Sequence, residues 1–228
     1  MKLLDSKTRK IISRRFLRDI KNTVLYWSLA PKTNQLIYID PRKIKTVVEK
    51  KPGDGKAKFK RKHSGLIFSG DWDKHVYPID AHSKMNICHL HFTQGVSWEE
   101  AGAYKAMEEL IKAKGSFDGC TSLNDVKERY ETIDHLFNKI KASGYLAPRL
   151  EIVSSNHREH GGILVHIGRT GEPIFSGSGC HRLAIAKALN LKKIPCELGV
   201  IHIDALKNKE YKKIIKSKRP SDVHDANV

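Results

Sequence analysis

The chain has 228 residues, with 42 Lys and Arg against 25 Asp and Glu, a formal net charge of +17. Its residues are 39% hydrophobic and 29% charged, which places it among globular proteins able to bury a core and excludes a wholly disordered chain. The excess charge is local: residues 1–21 carry eight basic groups against two acids, 42–62 ten against two, and 207–219 seven against one. The central body is then close to neutral, and the three basic segments are candidate contacts for polyanions such as nucleic acid or anionic lipid. No apolar run approaches the length of a membrane span, and no apolar signal core opens the chain, so a cytoplasmic location is expected. Cys88, Cys120, Cys180 and Cys196 show no Cys-x-x-Cys pairing, which fits free thiols in a reducing compartment.

Residues 1–22 predict a basic amphipathic helix, with Leu4, Ile12, Phe16 and Ile20 near one face. Docking on the body, on nucleic-acid phosphates or on a membrane surface are all open to it. Gln35 to Pro41 predicts a strand ending in an Asp-Pro turn. The Lys-, Gly- and Pro-rich stretch 50–63 predicts a mobile basic loop. Leu66 to Phe68 predicts a strand, and Gly70-Asp71 a turn. The acids flanking Trp72, Asp71 and Asp73, either contact a metal or substrate or fix the turn by local hydrogen bonds. His75, His82, His89 and His91 are dense here, and in a strand His89 and His91 would share one face. No further ligand has zinc-like spacing, so no metal site is expected.

Two strong helices follow. Ser97 with Glu100 forms a capping-box pattern ahead of Ala103, Met107, Leu110 and Ile111, and Lys114-Gly115 closes that helix. Ser122 to Lys141 carries Val126, Tyr130, Ile133, Leu136, Phe137 and Ile140 on its inner face. Arg129 and Asp134 in this pair are candidate substrate contacts, with surface ion pairing as the alternative. Leu150 to Val153 and Gly162 to Ile167 read as strands, Gly168 to Glu172 as a hairpin turn and Pro173 to Phe175 as its second strand. Cys196 to His202 predicts another strand. A Lys-rich helix is expected from Asp204 to Lys218, and a disordered tail from Pro220 to Val228.

Between the hairpin and that last strand lies the stretch with the most chemistry. Ser176, Gly177, Ser178 and Gly179 form a loop between a strand and a helix that begins near Cys180-His181-Arg182. The first amides of a helix lack internal partners and sit at the positive end of its dipole, and glycines let the backbone approach a ligand. His181 and Arg182 in the first turn would repel that dipole unless an anion lay between. The arrangement predicts a phosphate cradle with two side-chain clamps, the alternative being an ordinary turn with Ser178 as N-cap. At this position the Cys180 thiol would ionise more readily.

Gly179-Cys180-His181-Arg182, the following Leu-Ala-Ile-Ala and Ile194-Pro195 together resemble the ParB/sulfiredoxin superfamily. In sulfiredoxins a Gly-Gly-Cys-His-Arg loop binds ATP phosphates and its cysteine attacks a phosphorylated sulfinate. In ParB-type proteins the matching loop binds a nucleoside triphosphate, and in the superfamily's small-molecule kinases a Gly-x-His-Arg loop does so. Ser178 stands where sulfiredoxins have a glycine. Gly70 to Asp73 and Trp98 to Glu100 further resemble a ParB-like subgroup carrying Gly-Asp-Trp-Asp, over about residues 37–202.

The resemblance implies an α/β (α+β) fold, a ParB/sulfiredoxin-like mixed sheet with helices spanning 35–204. It implies a helical insertion at about 97–144, flanked by basic terminal segments at 1–34 and 205–228. It also implies nucleotide binding by Gly177, Ser178, Gly179, Cys180, His181 and Arg182, with ATP or another nucleoside phosphate, and Mg2+ where phosphoryl transfer requires it. The leading functional expectation is an ATP-dependent phosphotransferase or phosphohydrolase, with Cys180, His181, Asp71 and Asp73 as candidate catalytic groups and Glu151 and Glu172 as further carboxylates. The alternatives are a DNA-binding ParB-like factor with a nucleotide switch, and a sulfiredoxin-type thiol enzyme using Cys180. No helix-turn-helix module is evident after residue 203.

Overall fold

The computed structural model describes residues 6–49, 59–153 and 160–220, with side chains from residue 12 onward. The basic loop expected at 50–63 lies mostly outside the described residues, as do the tail from 221 and the first five residues. In chain order the elements are α1 (Ser6–Tyr26), β1 (Leu36–Ile39), β2 (Thr46–Val48), β3 (Ile67–Phe68), β4 (Val76–Pro78), α2 (Ser83–Gln94), α3 (Ala103–Lys114) and α4 (Leu123–Ser143). Then follow α5 (Arg149–Ile152), β5 (Leu164–Ile167), β6 (Pro173–Phe175), α6 (Cys180–Ala188), β7 (Ile194–His202) and α7 (Lys209–Ile215).

The strands form one mixed sheet in the order β1-β7-β5-β6-β2-β4, with β3 also paired to β7. This is an α/β fold. Pairs β1·β7, β2·β4 and β5·β6 are antiparallel, while β2·β6, β3·β7 and β5·β7 are parallel. Every residue of β5, β6 and β7 is buried, as expected of strands covered on both faces. A large core holds Leu183, Ile185, Met85, Cys88, Cys196 and Leu198. A smaller one holds Val48, Trp72, Ile174 and Val200 with Phe59 and Phe68. Strand β7 carries one residue more than β5 between its pairings at Leu198 and Ile201. That bulge breaks the inward-outward alternation and sends Val200 to the smaller core.

The helical segment shares the large core with the sheet, and Ser122 and Asp125 exchange cap hydrogen bonds at the start of α4. The capping pair Ser97–Glu100 is also formed, but it closes a separate turn. Helix α3 itself starts at Ala103, after Gly102 takes a positive φ. Cys88 to His91 lies within α2, so the face that His89 and His91 would share in a strand is not formed. One expected strand is a helix. Leu150 to Ile152 lies within α5. The Lys-rich C-terminal helix is shorter than expected, a 3-10 turn over Ile203–Lys207 followed by α7. Among the described residues no helix is long and apolar enough to cross a membrane.

Candidate functional site

The strand–loop–helix unit is built from β6, residues 176–179 and α6. Gly177 and Gly179 both take left-handed φ values, +84° and +90°. A Cβ at Gly179 would collide with the Gly162 carbonyl oxygen and sit 2.9 Å from Ile163 Cα, so only glycine lets the loop lie against the start of β5. The N-cap of α6 is Gly179, with no side-chain cap hydrogen bond, in place of the Ser178 cap considered from sequence. Ser178 N–H instead donates to Ser176 Oγ at 3.1 Å. The opening amides of α6 are thus left without a capping side chain.

A cavity of about 620 Å³ opens in front of this turn. Gly177, Ser178, Gly179, Cys180, His181 and Arg182 all line it. So do residues the sequence reading did not assign to the site, among them Arg61, Lys84, Asp118, Arg149 and Gly162. Arg129 of α4 also lines it, so one of the two candidate substrate contacts in the helical segment reaches the site. The other does not: Asp134 accepts from Trp98 Nε1 at 3.0 Å and lies 3.0 Å from His91 Nε2. Among the described residues the lining therefore carries five Arg and Lys side chains against one carboxylate, Asp118.

The cations are held differently. Lys84 Nζ lies 2.7 Å from Asp118 Oδ2, and Arg129 Nη2 lies 3.6 Å from the same oxygen. Burial opposes the Asp118 charge, but the Lys84 hydrogen bond and the fields of Lys84 and Arg129 still hold its carboxyl below the usual range. Arg61 pairs at 3.1 Å with Glu197, whose side chain is fully buried and also accepts from His160 N–H. Arg182 is buried, and its Nη2 donates to the Ala147 carbonyl, so it braces the α4–α5 connection as well as lining the cavity. Among the described residues the Arg149 guanidinium has no hydrogen-bond or ion-pair partner.

His181 packs edge-on to Tyr130 with ring centroids 5.8 Å apart. Burial, reinforced by Lys84 and Arg129, pushes its pKa down to about 4, so it is neutral at pH 7. His166, fully buried on β5, is pushed down to about 3 by burial. Both folded-state values lie below the ordinary 6.5, so the unfolded chain binds more protons between them. Stability is therefore expected to rise with pH from about 4 to 6.5 and to be lost on acidification through that window. Urea midpoints measured across that range should fall on the acid side, and His181→Gln should flatten part of the slope.

Cys180 is largely covered, and its Sγ donates to the Gly177 carbonyl oxygen at 3.3 Å. The other carboxylates proposed from sequence sit elsewhere. Asp73 accepts from Arg169 Nε at 2.9 Å and from Arg169 N–H at 2.8 Å, and Asp71 accepts from Arg169 Nη2 at 2.8 Å. Neither lines the cavity. They fix the β5–β6 turn to the Gly70–Asp73 segment through a long-range partner, not through the local hydrogen bonds considered for this motif. Burial works against the Asp73 charge, yet Arg169 keeps it below the usual range. Glu172 closes its own hairpin by accepting from Thr170 Oγ1 at 2.6 Å. Glu151 pairs with Arg219 at 3.2 Å. Among the described residues no group of three His, Cys, Asp or Glu side chains is placed to hold a metal ion. Comparison with protein-family models, with curated proteins and with solved structures found no match for this chain.

Proposed function

We propose that the chain binds a nucleotide through its polyphosphate in the cavity at the start of α6, as a ParB/sulfiredoxin-like nucleotide-binding protein. The observation that carries this reading is the composition of the lining among the described residues: loop glycines and uncapped amides, with five Arg and Lys side chains against one carboxylate. Such a site disfavours cationic or neutral ligands and suits a compact polyanion. The cavity volume of about 620 Å³ falls in the range of small-molecule sites.

The chemistry that fits is phosphoryl transfer or hydrolysis. Arg149, Arg61 and Lys84 neutralise the phosphates, and the loop amides orient them. His181 is the candidate proton acceptor. It is neutral in the free protein, and a bound anion offsets the field of Lys84 and Arg129, raising its proton affinity. Mg2+ arrives with the nucleotide in this reading, since Asp118 is the one carboxylate among the described lining residues and is already paired with Lys84. Cys180 contributes its backbone amide in this reading. Cys180→Ser is expected to keep nucleotide affinity and turnover within about twofold, a change near the size of one neutral hydrogen bond's uncertainty. Turnover that dies in Cys180→Ser would instead establish the thiol chemistry.

A thermal-shift screen of nucleoside mono-, di- and triphosphates, with and without Mg2+, tests binding. A ligand that binds only the folded state raises the melting temperature, by mass action. Stabilisation that increases with phosphate number is expected. No shift with any phosphate-bearing compound would remove the proposal.

A further inference from the structure

Helix α1 is docked the unusual way round. Apart from Tyr26 at its end, which packs against the large core, its contacts with the body are polar. Asn22 Nδ2 donates to the carbonyls of Pro31 and Gly65, both at 2.8 Å. Asp19 Oδ1 accepts from Thr33 N–H at 2.9 Å and from Thr33 Oγ1 at 2.8 Å. Arg18 donates to the Ser64 and Lys62 carbonyls. The apolar residues face outward. Ile12, Phe16, Ile20 and Val24 recur every fourth position and so form one stripe, with Leu17 beside it. Phe16 is 65% exposed, Val24 68%, and Trp27, just past the end of the helix, 82%.

A water-soluble body does not ordinarily leave so long an apolar row uncovered. Arg14 and Lys21 are exposed on the same helix, and residues 1–21 as a whole carry eight basic groups against two acids. A second copy would bring those cations against themselves. A nucleic acid offers phosphates but no apolar layer to receive Phe16 and Val24. An anionic lipid surface offers both, headgroup charge outside and acyl chains beneath. We propose that α1 is an interfacial membrane helix, lying in the plane of an anionic bilayer, with the Ile12–Val24 stripe in the acyl boundary and Trp27 at headgroup depth. Body contacts through Asn22, Asp19 and Arg18 then survive binding, because the stripe that inserts is not the face that docks.

Co-flotation of the full chain with phosphatidylglycerol–phosphatidylcholine vesicles, against phosphatidylcholine alone, tests this. Trp72 and Trp98 are buried, so a blue shift of tryptophan emission on adding vesicles reports Trp27. Wild type is expected to float with the anionic vesicles alone and to show the shift. Phe16→Gln/Ile20→Gln/Val24→Gln, all at exposed positions, is expected to keep the wild-type circular dichroism and melting temperature while its partitioning falls by about tenfold or more. Unchanged partitioning in that variant would overturn the proposal, because the basic segments alone would then explain it. Absence of wild-type binding to the anionic vesicles would also overturn it. So would a wild-type dimer in sedimentation velocity that becomes a monomer in the triple variant, with no lipid binding by either, since the stripe would then be a self-interface.

Discussion

Gly179→Ala is expected to destabilise the protein by about 2–5 kcal/mol, from a left-handed alanine and from overpacking against backbone. The residue sits at φ +90°, and a methyl group there would meet the Gly162 carbonyl and Ile163 Cα. Those obstacles are main-chain atoms at the start of β5, and they have no rotamer to escape into. Relief requires the loop to lift from the strand, which also moves the first amides of α6. Ligand binding should therefore fall with stability. Gly102→Ala is the control: its φ is +80°, but nothing lies within 4 Å of the added methyl. It should lose only the conformational part, about 1–2 kcal/mol. Urea denaturation of the two variants separates the terms, and equal losses would show that the close approach of the loop to β5 contributes nothing.

Arg149→Ala is expected to weaken nucleotide binding by about 10- to 150-fold, the equivalent of one charged hydrogen bond at roughly 1.5–3 kcal/mol. Its melting temperature should hardly change, since the guanidinium has no partner among the described residues. Arg182→Ala is a poorer probe, although Arg182 belongs to the motif. Its guanidinium is buried and tied to the Ala147 carbonyl, so its loss would disturb the fold and the site together. Arg61→Ala is confounded in the same way, by the fully buried Glu197 carboxylate it faces. Arg149 separates binding from folding, and calorimetric affinity with an unchanged melt is the result to look for.

The sequence announced its local units better than its site. The β6–loop–α6 unit was legible because glycine spacing and helical periodicity are local properties. The long helix from Ser122 to Lys141 was legible for the same reason. The four residues Cys88 to His91 cannot by themselves distinguish a strand face from a helix face, and α2 has almost no apolar stripe to decide it. Leu150 to Val153 read as a strand from its branched residues, but Pro148 starts a short helix there. The lining residues Arg61, Lys84, Asp118 and Arg149 come from four separate connections or helix starts. Nothing local marks them, because their convergence depends on how β7, α2 and α4 pack around α6. Asp71 and Asp73 drew attention by their spacing about Trp72, and Arg169, nearly a hundred residues away, turns out to be their partner.

Isothermal titration calorimetry of the full chain with ATP, tripolyphosphate and adenosine tests the central claim most directly. If the start of α6 and its ring of cations receive polyphosphate, ATP and tripolyphosphate will bind with one site per chain, more weakly as salt rises, and adenosine will bind far less well. Both phosphate ligands should lose affinity in Arg149→Ala. Binding of adenosine as tight as that of ATP, or an ATP affinity indifferent to both salt and Arg149→Ala, would contradict the account.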